Sequence, residues 1–519
     1  MLPTTRDLLS RNRLRNPGKL AVANGPVRYT FAEFAQRCHR LANLLSGWGL
    51  KKGDRVAFLD KTCPWYLEFY YGITIGGFVA VPLNYRLVGR ELIYILNNCR
   101  PKAIIAGRDY TGMIDAIRGQ IPTVEHFLAI APAPGYAVYE DALAAASPEE
   151  PRTEISPDDL AVICYTSGTT AMPKGVMLSH GNIAANAANE NLGIALSPDD
   201  IVYYPAPLFH VMGCMAMGMM ALGCTMVFEE FNVNTIYETI QKEKVTEITT
   251  TAGPWTILVN SGIDARQYDL SSVRTVLAGG SQMPKRVAAE LFDIFPNLNV
   301  LYTSFAQTEA APFVTIGPVT REDIRAGRFN EHSGREVFLT RARIVDDQGN
   351  DLPVGQHGEI LARGPNVMLG YWELPEETAA ALRGGWLHTN DIGYFDENGY
   401  LYVVDRKKDM ILSGSENISS KEVESVLYQH PAIADAAVIG VPDEKWGERV
   451  HAVVVLKPGQ EATPEEITQF CRANLAGYKI PRSYEFVSEL PRNPSGKVLK
   501  NRLREKYRKQ AEQGKSQSF

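Results

Sequence analysis

The sequence predicts an α/β protein with a large N-terminal domain of helix-covered sheets, a small β subdomain and a small α+β C-terminal domain. Three observations predict this class. Residues 1 to about 160 alternate apolar strands with helical patterns, which is typical of parallel sheets covered by helices. From about residue 341, short strands separated by tight turns indicate the β subdomain. Beyond the charged run at 405–409, strands and helices alternate again and predict a compact βαβ-like unit.

The individual elements follow from apolar runs and helix-period patterns along the chain. The predicted strands lie at 55–59, 103–106, 160–165, 176–178, 245–250, 273–277, 299–302, 341–345, 358–362, 438–441 and 451–456. The predicted helices lie at 65–75, 90–98, 182–191, 236–243, 284–295, 421–429 and 464–474. We place the domain boundary at the charged run, so that residues 1–405 form the larger domain and residues 406–519 the smaller one.

Composition and charge favour a globular protein that acts on a small molecule. The 45% apolar and 22% charged fractions are ordinary for such a protein, and a net charge of -6 gives no basic surface for nucleic acid. The seven cysteines are scattered and lack CxxC spacing, which favours neither a disulfide framework nor a zinc site. A reducing cytoplasm is therefore the expected location.

One uncharged stretch requires a decision between a membrane span and a buried core segment. Residues 211–228 contain no Asp, Glu, Lys or Arg and are long enough for a marginal spanning helix. Gly213, Gly218 and Gly223 interrupt the stretch, and no companion span accompanies it. We therefore predict a buried strand and helix here, and no transmembrane segment.

A loop of small polar residues between two apolar runs carries the first functional signal. Residues 160–179 read LAVICYTSGTTAMPKGVMLS, which predicts a strand, a polar loop and a second strand. Backbone N–H groups, hydroxyls and the charge of Lys174 are the partners that phosphate oxygens take. The pattern GxxxxGK[ST] needs Ser or Thr after its lysine, whereas Gly175 follows Lys174, so a Walker-type NTPase is not predicted. Without a family, the loop could also be an ordinary solvated hairpin.

The order of residues in this loop closely resembles the phosphate loop of the AMP-forming adenylating enzymes, the superfamily of acyl-CoA synthetases, peptide-synthetase adenylation domains and luciferases. Five further stretches match the superfamily in its order, so the resemblance covers nearly the whole chain, and it is closest to bacterial fatty-acyl-CoA ligases. It implies a mobile C-terminal domain. Ala171 stands where the family usually has glycine. The implied ATP phosphate site, in which Thr169 is also catalytic, comprises Thr166, Ser167, Gly168, Thr169, Thr170 and Lys174.

Two further stretches resemble the adenine and metal sites of that superfamily. The turn at 278–281 reads AGGS, and residues 302–309 read YTSFAQTE where family members usually end in YGxTE. By this resemblance Phe305 stacks on adenine, Thr308 bonds a phosphate oxygen, and Glu309 is catalytic and holds Mg²⁺. Without the family, Phe305 could equally be a core residue and Glu309 a solvated one. The implied nucleotide contacts are Gly279, Gly280, Ser281, Ser304, Phe305, Ala306 and Thr308.

The resemblance also implies a ribose site, a hinge and a catalytic lysine toward the C-terminus. The stretch WLHTND at 386–391 is similar to one that normally ends in TGD, so Asp391 would accept both ribose hydroxyls. Asn390 replaces the usual glycine, and Asn tolerates the left-handed conformation of such a turn. Lys408 would be the hinge, and Lys497 in PRNPSGK would bridge the substrate carboxylate and the α-phosphate. The remaining implied nucleotide or CoA contacts are Val403, Arg406 and Gly414, the last in a loop that resembles the lining of the pantetheine tunnel.

The acid site is placed by resemblance, and its character is predicted from composition. PLFH at 207–210 resembles the mouth of the acid pocket, which His210, Val211 and Gly213 would line, with His210 in the catalytic set as a residue that orients the carboxylate. Residues 211–228 contain no Asp or Glu, so a buried ammonium group would lack a partner there. We therefore predict an amine-free apolar acid, a medium-chain or long-chain fatty acid, with an aryl acid as the alternative.

The function implied by the resemblance is that of a two-step ligase. A carboxylate and Mg-ATP give an acyl-adenylate and pyrophosphate, and the thiol of CoA then attacks the mixed anhydride after the small domain turns. The implied partners are the carboxylic acid, ATP and CoA, and a homodimer is a further expectation. Other classes stay open: an adenylating module that serves a carrier protein, a luciferase-like oxygenase and a non-catalytic nucleotide sensor.

Overall fold

The fold is given by a computed structural model that describes residues 2–166, 172–280, 283–329, 331–413, 416–443, 446–492 and 498–507. The α-helices of these residues are α1 (Thr5–Arg15), α2 (Phe31–Gly47), α3 (Tyr66–Ile75), α4 (Gly89–Cys99), α5 (Thr111–Ile117), α6 (Tyr139–Ala145), α7 (His180–Gly193), α8 (Met212–Leu222), α9 (Ile236–Glu243), α10 (Ala252–Val259), α11 (Lys285–Ile294), α12 (Arg321–Arg325), α13 (Pro375–Ala381), α14 (Ser420–Leu427) and α15 (Pro464–Asn474). The strands are β1 (Leu20–Asn24), β2 (Val27–Thr30), β3 (Arg55–Leu59), β4 (Val79–Leu83), β5 (Ala103–Ala106), β6 (His126–Ala129), β7 (Ala137–Val138), β8 (Leu160–Thr166), β9 (Lys174–Ser179), β10 (Ile201–Tyr204), β11 (Thr225–Phe228), β12 (Glu247–Thr251), β13 (Thr275–Gly279), β14 (Val300–Ala306), β15 (Phe313–Thr320), β16 (Arg335–Glu336), β17 (Arg341–Val345), β18 (Gly358–Arg363), β19 (Gly370–Tyr371), β20 (Leu387–Phe395), β21 (Leu401–Arg406), β22 (Ile411–Ser413), β23 (Glu416–Ile418), β24 (Ile433–Asp443), β25 (Gly447–Leu456) and β26 (Ser483–Phe486).

Two large sheets form the body of the N-terminal part. Among the described residues, one sheet has nine strands in the order β16-β15-β14-β13-β12-β10-β11-β1-β2, and its centre from β14 to β1 is parallel. The other has eight strands in the order β19-β9-β8-β4-β3-β5-β6-β7, and it is parallel from β8 to β7. One core contains side chains of both sheets and of α3 and α8, among them Phe58, Tyr70, Val202 and Met217. These helices therefore pack against both sheets, as the predicted fold class requires.

The uncharged stretch at 211–228 folds as the helix α8 and the buried strand β11. Residues 213–221 of α8 are all buried. The helix ends at Gly223, whose φ of 113° is readily adopted only by glycine. The prediction of a buried segment is confirmed. In the part of the chain that the structure describes, no helix is long and apolar enough to cross a membrane.

Two smaller sheets complete the fold. The antiparallel sheet β17-β18-β20-β21 is the predicted β subdomain. Beyond it, β23-β22-β25-β24 form a sheet with β26 parallel to β25, and α14 and α15 share its own apolar core. The predicted helices and strands of this unit correspond to α14, β24, β25 and α15. Its two predicted strands, β24 and β25, form a long antiparallel hairpin rather than a parallel pair. The parallel connection runs from β25 through α15 to β26, a strand that is not predicted from the sequence. The predicted α/β class is confirmed.

The ends of several strands differ from the prediction. Strands β24 and β25 begin at Ile433 and Gly447, before the predicted starts at 438 and 451. Strand β13 continues to Gly279 and β14 to Ala306, whereas the sequence predicts ends at 277 and 302. Thr303 and Ser304 are polar and suggest the start of a turn, but both are buried between β13 and β15. Because the neighbouring strands satisfy their backbone groups, these polar side chains do not end the strand.

Candidate active site

The residues predicted to surround adenine lie together at the ends of β13 and β14. The register pairs Ala278 with Thr303. A Cβ on Gly279 would lie 2.8 Å from Ser304 Oγ, so a larger residue there would collide with the neighbouring strand. Gly280 has a φ of 74°, a left-handed conformation that favours glycine. The two predicted nucleotide stretches are thus neighbours in space.

Phe305 and Ser304, near the end of β14, are both buried. The Phe305 N–H donates to Thr315 Oγ1 at 3.2 Å, and the residue is 7% exposed. Ser304 Oγ is buried and has no hydrogen-bond partner among the described residues. Ala306, the last residue of β14, is partly exposed. The Phe305 ring belongs to the apolar core that contains side chains of both large sheets, and stacking of adenine on it stays a prediction.

Among the described residues, the predicted metal ligand Glu309 and the predicted phosphate ligand Lys174 both contact Tyr371. Glu309 lies in a 3₁₀ turn directly after β14, Thr308–Ala310, and the Tyr371 hydroxyl donates to Glu309 Oε1 at 3.0 Å. The Lys174 ammonium lies 4.9 Å from the centre of the Tyr371 ring, and the Thr166 hydroxyl donates to the Lys174 carbonyl at 3.4 Å. Burial, and then the Glu309 charge, raise the pKa of Tyr371, so its phenol keeps its proton at pH 7. A carboxylate and an ammonium in one place suit phosphates that carry a hard cation.

The residues predicted to bind ribose lie on β20 and β21. The register pairs Asp391 with Arg406, and Arg406 Nε lies 3.5 Å from Asp391 Oδ1. The Gln307 side-chain amide donates to Asp391 Oδ2 at 2.7 Å and to the Thr389 carbonyl at 3.0 Å. Asn390 has a φ of 57°, so the left-handed turn expected of this residue is confirmed. Asp391 is therefore fixed from both sides at the rim of the adenine candidates.

Neither Gln307 nor Tyr371 is among the residues that the sequence singles out. Gln307 lies inside the 302–309 stretch, and its polar side chain between Phe305 and Glu309 is a local signal for a further site residue. Tyr371 lies 62 residues from Glu309, and no local pattern marks it. Val403 lies on β21 opposite Gly393, three residues before Arg406.

The residues predicted to hold the acid lie in the segment between β10 and α8 and in the first turn of α8. A Cβ on Gly213 would lie 2.3 Å from the Tyr70 ring, so this close approach requires glycine. The Tyr70 hydroxyl also donates to the His210 carbonyl at 3.3 Å, and Val211 is buried. Burial, and then the charge of Arg86, lower the pKa of His210 to about 4. The imidazole is therefore neutral at pH 7.

The predicted hinge residue Lys408 is exposed between two anchored neighbours. Lys407 Nζ lies 2.8 Å from Asp347 Oδ1, which follows β17 of the β subdomain. Asp409 Oδ1, on the other side of Lys408, accepts a hydrogen bond from the Arg504 guanidinium at 2.8 Å. The contacts on the two sides of Lys408 thus reach different parts of the chain, and its hinge role stays a prediction.

Some of the predicted site residues lie outside the described residues, and their placement stays a prediction. The flanks of two of these segments are described. Thr166 pairs with Lys174 where the phosphate loop leaves β8 and enters β9. Arg492 forms a β-bridge with Val498 across the segment of the predicted catalytic lysine. The residues concerned are Ser167, Gly168, Thr169, Thr170, Ser281, Gly414 and Lys497.

Comparisons with known proteins agree with this geometry. The chain matches the family described as AMP-binding enzyme over residues 9–372, and AMP-binding enzyme C-terminal domain over residues 422–497. It is 36% identical over 507 residues to a feruloyl-CoA synthase of Amycolatopsis sp, which covers 96% of this chain and 98% of the relative. It is 34% identical over 490 residues to a long-chain-fatty-acid–CoA ligase of Mycobacterium tuberculosis, with 93% of each chain covered.

A solved structure extends the agreement to the whole fold. The crystal structure of an anthranilate CoA ligase in complex with anthranoyl-AMP matches with a TM-score of 0.88 at 27% identity, and the match covers 98% of this chain and 97% of that one. The chain therefore belongs to the family of AMP-binding enzymes and is an AMP-forming acyl-CoA ligase, which uses ATP and CoA.

Proposed function

We propose that the chain activates a carboxylic acid with an apolar body as its acyl-adenylate, with Mg²⁺ as the metal, and then transfers the acyl group to CoA. The acid is a medium-chain or long-chain aliphatic acid or an aryl acid. One observation carries the proposal: the segment from Ser304 to Glu309 touches all three parts of the candidate Mg-ATP site. Ser304 lies against Gly279, Gln307 holds Asp391, and Glu309 accepts from a tyrosine that also contacts the phosphate-loop lysine.

In the first half-reaction a carboxylate oxygen of the acid attacks the α-phosphorus of ATP, and pyrophosphate leaves. Asp391 and Arg406 would hold the ribose, which fixes the α-phosphate relative to the acid. Lys174 and the phosphate loop would bind the oxygens of the departing pyrophosphate. Lys497 would neutralise the charge that develops as the new O–P bond forms.

Glu309 fits a magnesium ion. Mg²⁺ takes oxygen ligands and is usually bound by one or two carboxylates together with substrate phosphates and water. The hydrogen bond from Tyr371 orients the Glu309 carboxylate. Within the described ranges no group of three or more His, Cys, Asp or Glu could hold a metal ion, so the other ligands would be ATP oxygens and water. When bound, the ion would neutralise phosphate charge.

In the second half-reaction the CoA thiol releases its proton to water, its sulfur attacks the carbonyl carbon of the adenylate, and AMP leaves with the bonding electrons of the C–O bond. Lys497 and the loop at Gly414 both belong to the C-terminal part of the chain. Because one serves adenylation and the other would line the path of CoA, we propose that rotation about Lys408 exchanges them. His210, neutral at pH 7, would orient the acid by a hydrogen bond rather than by charge.

Helix α8 supports an apolar body for the acid. Its exposed surface is small, and its buried residues are Gly, Ala, Cys and Met. Met side chains adapt to flat rings and to flexible chains alike. The relatives named for feruloyl and for long-chain fatty acids support both an aryl and an aliphatic acid.

A pyrophosphate-release assay with a panel of acids tests this proposal. We expect release that requires an acid, ATP and Mg²⁺, and a thioester product that forms when CoA is added. Turnover with a carrier protein but not with CoA would contradict the proposal and favour a carrier-protein module. Light emission with oxygen in place of thioester formation would favour a luciferase-like oxygenase. ATP binding without acid-dependent ATP–pyrophosphate exchange would favour a nucleotide sensor.

A further inference from the structure

A buried polar cluster lies against the apolar helix α8. Its members are Glu190 of α7, Glu247 of β12 and Tyr204 of β10, and each is 0% exposed. A Cβ on Gly218 of α8 would lie 1.9 Å from Glu190 Oε1, so the glycine leaves the space that this carboxyl occupies. Glu190 reaches α8 from outside residues 211–228, so the composition of the helix alone did not reveal it.

Three oxygens of this cluster have no hydrogen-bond partner. Asn186 donates to Glu190 Oε2 at 3.0 Å, and Thr249 donates to Glu247 Oε1 at 2.8 Å. The second oxygens, Glu190 Oε1 and Glu247 Oε2, and the Tyr204 hydroxyl remain unpartnered within the described part of the chain. Buried polar atoms are rarely left unpaired because their desolvation is costly, so three in one cluster indicate a ligand.

The pairing of β10 with β12 places Tyr204 and Glu247 on the same face of the sheet. Strands β10 and β12 are parallel neighbours, and Val202 pairs with Glu247. Because side chains alternate along a strand, Tyr204 projects from the same face as Glu247 and Thr249. Val202 and Tyr204 share their core with the α8 side chains, whereas Tyr203 belongs to the core on the other face. The Tyr204 hydroxyl is therefore on the side of the sheet that α8 covers.

The cluster lies at a distance from His210 that suits the far end of an acid. Gly218 is seven residues beyond Val211, which corresponds to about 10 Å along a helix. Glu247 is four residues before the end of β12, which corresponds to about 13 Å along a strand. That strand ends at Thr251, which pairs with Gly279 of the adenine candidates. Both estimates, about 10 Å along α8 and about 13 Å along β12, place the cluster at a distance from the reacting carboxylate that is comparable to the length of the acid.

We propose that Glu190, Glu247 and Tyr204 form the distal end of the acid site and bind a hydroxyl group that the acid carries at the end away from its carboxylate. The substrate class is then a hydroxy acid with an apolar body, such as a ring-hydroxylated aryl acid or an ω-hydroxy aliphatic acid. This inference rests on the proposed function. A hydroxyl both donates and accepts, which matches a set of carboxyl and phenol oxygens.

The protonation of the cluster favours a hydroxyl over an ammonium group. Burial raises the pKa of Glu247 to about 8. Burial, and then the charge of Glu247, raise the pKa of Glu190 well above its usual range. Both shifts favour the neutral, protonated form of the carboxyl. A cation would find neutral partners there, whereas a hydroxyl needs no charge.

The test measures kcat/KM by pyrophosphate release for matched pairs of acids with and without the distal hydroxyl. The pairs are 4-hydroxycinnamate with cinnamate and 10-hydroxydecanoate with decanoate. In the wild-type enzyme we expect the hydroxylated member of at least one pair to be favoured by tenfold or more, since a site built for a hydroxyl rejects the analogue that lacks it. Tyr204→Phe and Glu190→Gln should each bring that ratio toward one.

Tyr203→Phe is the matched control. Tyr203 precedes Tyr204 on β10, is equally buried and donates to Glu229 Oε2 at 2.9 Å on the opposite face, so this variant should keep the wild-type ratio. Wild-type turnover with a ratio near one in both pairs would overturn the inference, would indicate that the cluster holds only water, and would leave the proposed function intact. A higher kcat/KM for an amine-bearing analogue would also overturn it. No acid-dependent release with any acid would refute the proposed function itself.

Discussion

The side-chain amide of Gln307 donates a hydrogen bond to Asp391 Oδ2 at 2.7 Å, although 84 residues separate them. The strand end beside the adenine candidates therefore also positions the carboxylate proposed to bind ribose. The same amide donates to the Thr389 carbonyl, which fixes its orientation. Gln307 thus connects the residues proposed to bind the base with the residues proposed to bind the sugar.

Gln307→Leu should weaken ATP binding. The change leaves Asp391 without its amide donor, and a hydrogen bond to a charged group contributes about 1.5–3 kcal/mol. We expect the KM for ATP to rise about tenfold or more, with a smaller change in kcat, in a pyrophosphate-release assay. Gln348→Leu, at an exposed turn of the β subdomain, is the matched control. An unchanged KM for ATP would show that Gln307 does not position Asp391 for the nucleotide.

Tyr371→Phe should raise the Mg²⁺ concentration that the enzyme needs. The variant keeps the ring beside Lys174 and loses only the hydrogen bond to Glu309 Oε1. A hydrogen bond to a charged carboxylate contributes about 1.5–3 kcal/mol, so we expect the half-saturating Mg²⁺ concentration to rise about tenfold or more. The measurement is the rate of adenylate formation against Mg²⁺ at saturating ATP.

Tyr136→Phe controls for the loss of a tyrosine hydroxyl elsewhere. Its hydroxyl donates to Asp115 Oδ1 at 3.0 Å at the far edge of the eight-stranded sheet. This control should need no additional Mg²⁺. If Tyr371→Phe behaved in the same way, Glu309 would not depend on Tyr371 for its role.

Glu247 should make the folded chain less stable as pH rises. Burial raises the pKa of this carboxyl from its ordinary 4.5 to about 8. Above pH 4.5 the unfolded chain releases the proton while the folded chain keeps it, so the contribution of Glu247 to the free energy of unfolding falls until about pH 8 and then levels off. The loss is several kcal/mol, because one pKa unit corresponds to about 1.4 kcal/mol.

Glu247→Gln removes this titration. The free energy of unfolding of the variant minus that of the wild type should therefore increase between pH 5 and pH 8, measured from urea unfolding at each pH. Exposed Glu397→Gln is the control, and its difference should stay nearly constant over the same range. A flat difference for Glu247→Gln would mean that the carboxyl is ionised in the folded chain, which contradicts its complete burial.

Local patterns predict much of the fold because they report burial directly. The strands at 55–59 and 103–106 and the helices at 236–243 and 464–474 begin and end where predicted, since turn residues or helix caps bound each of them. The end of β14 was wrong by four residues because Thr303 and Ser304 are polar yet buried. A sequence shows polarity, whereas the neighbouring strands decide burial.

The site is less predictable from the sequence, for a related reason. The motif resemblance selected Glu309 and Asp391, but their partners Tyr371 and Gln307 depend on contacts between segments that are far apart in the chain. Likewise, residues 211–228 contain no carboxylate, yet Glu190 reaches α8 from another helix. Patterns within one segment cannot reveal what a neighbouring segment contributes.

The most direct test compares the two half-reactions in Lys497→Ala, with Lys457→Ala at an exposed turn as the control. If Lys497 reaches the ATP held by Asp391 and Glu309 only for adenylation, the variant should lose acid-dependent ATP–pyrophosphate exchange by orders of magnitude. It should largely keep thioester formation from CoA and a supplied acyl-adenylate. An equal loss of both half-reactions, or full exchange activity, would contradict the account.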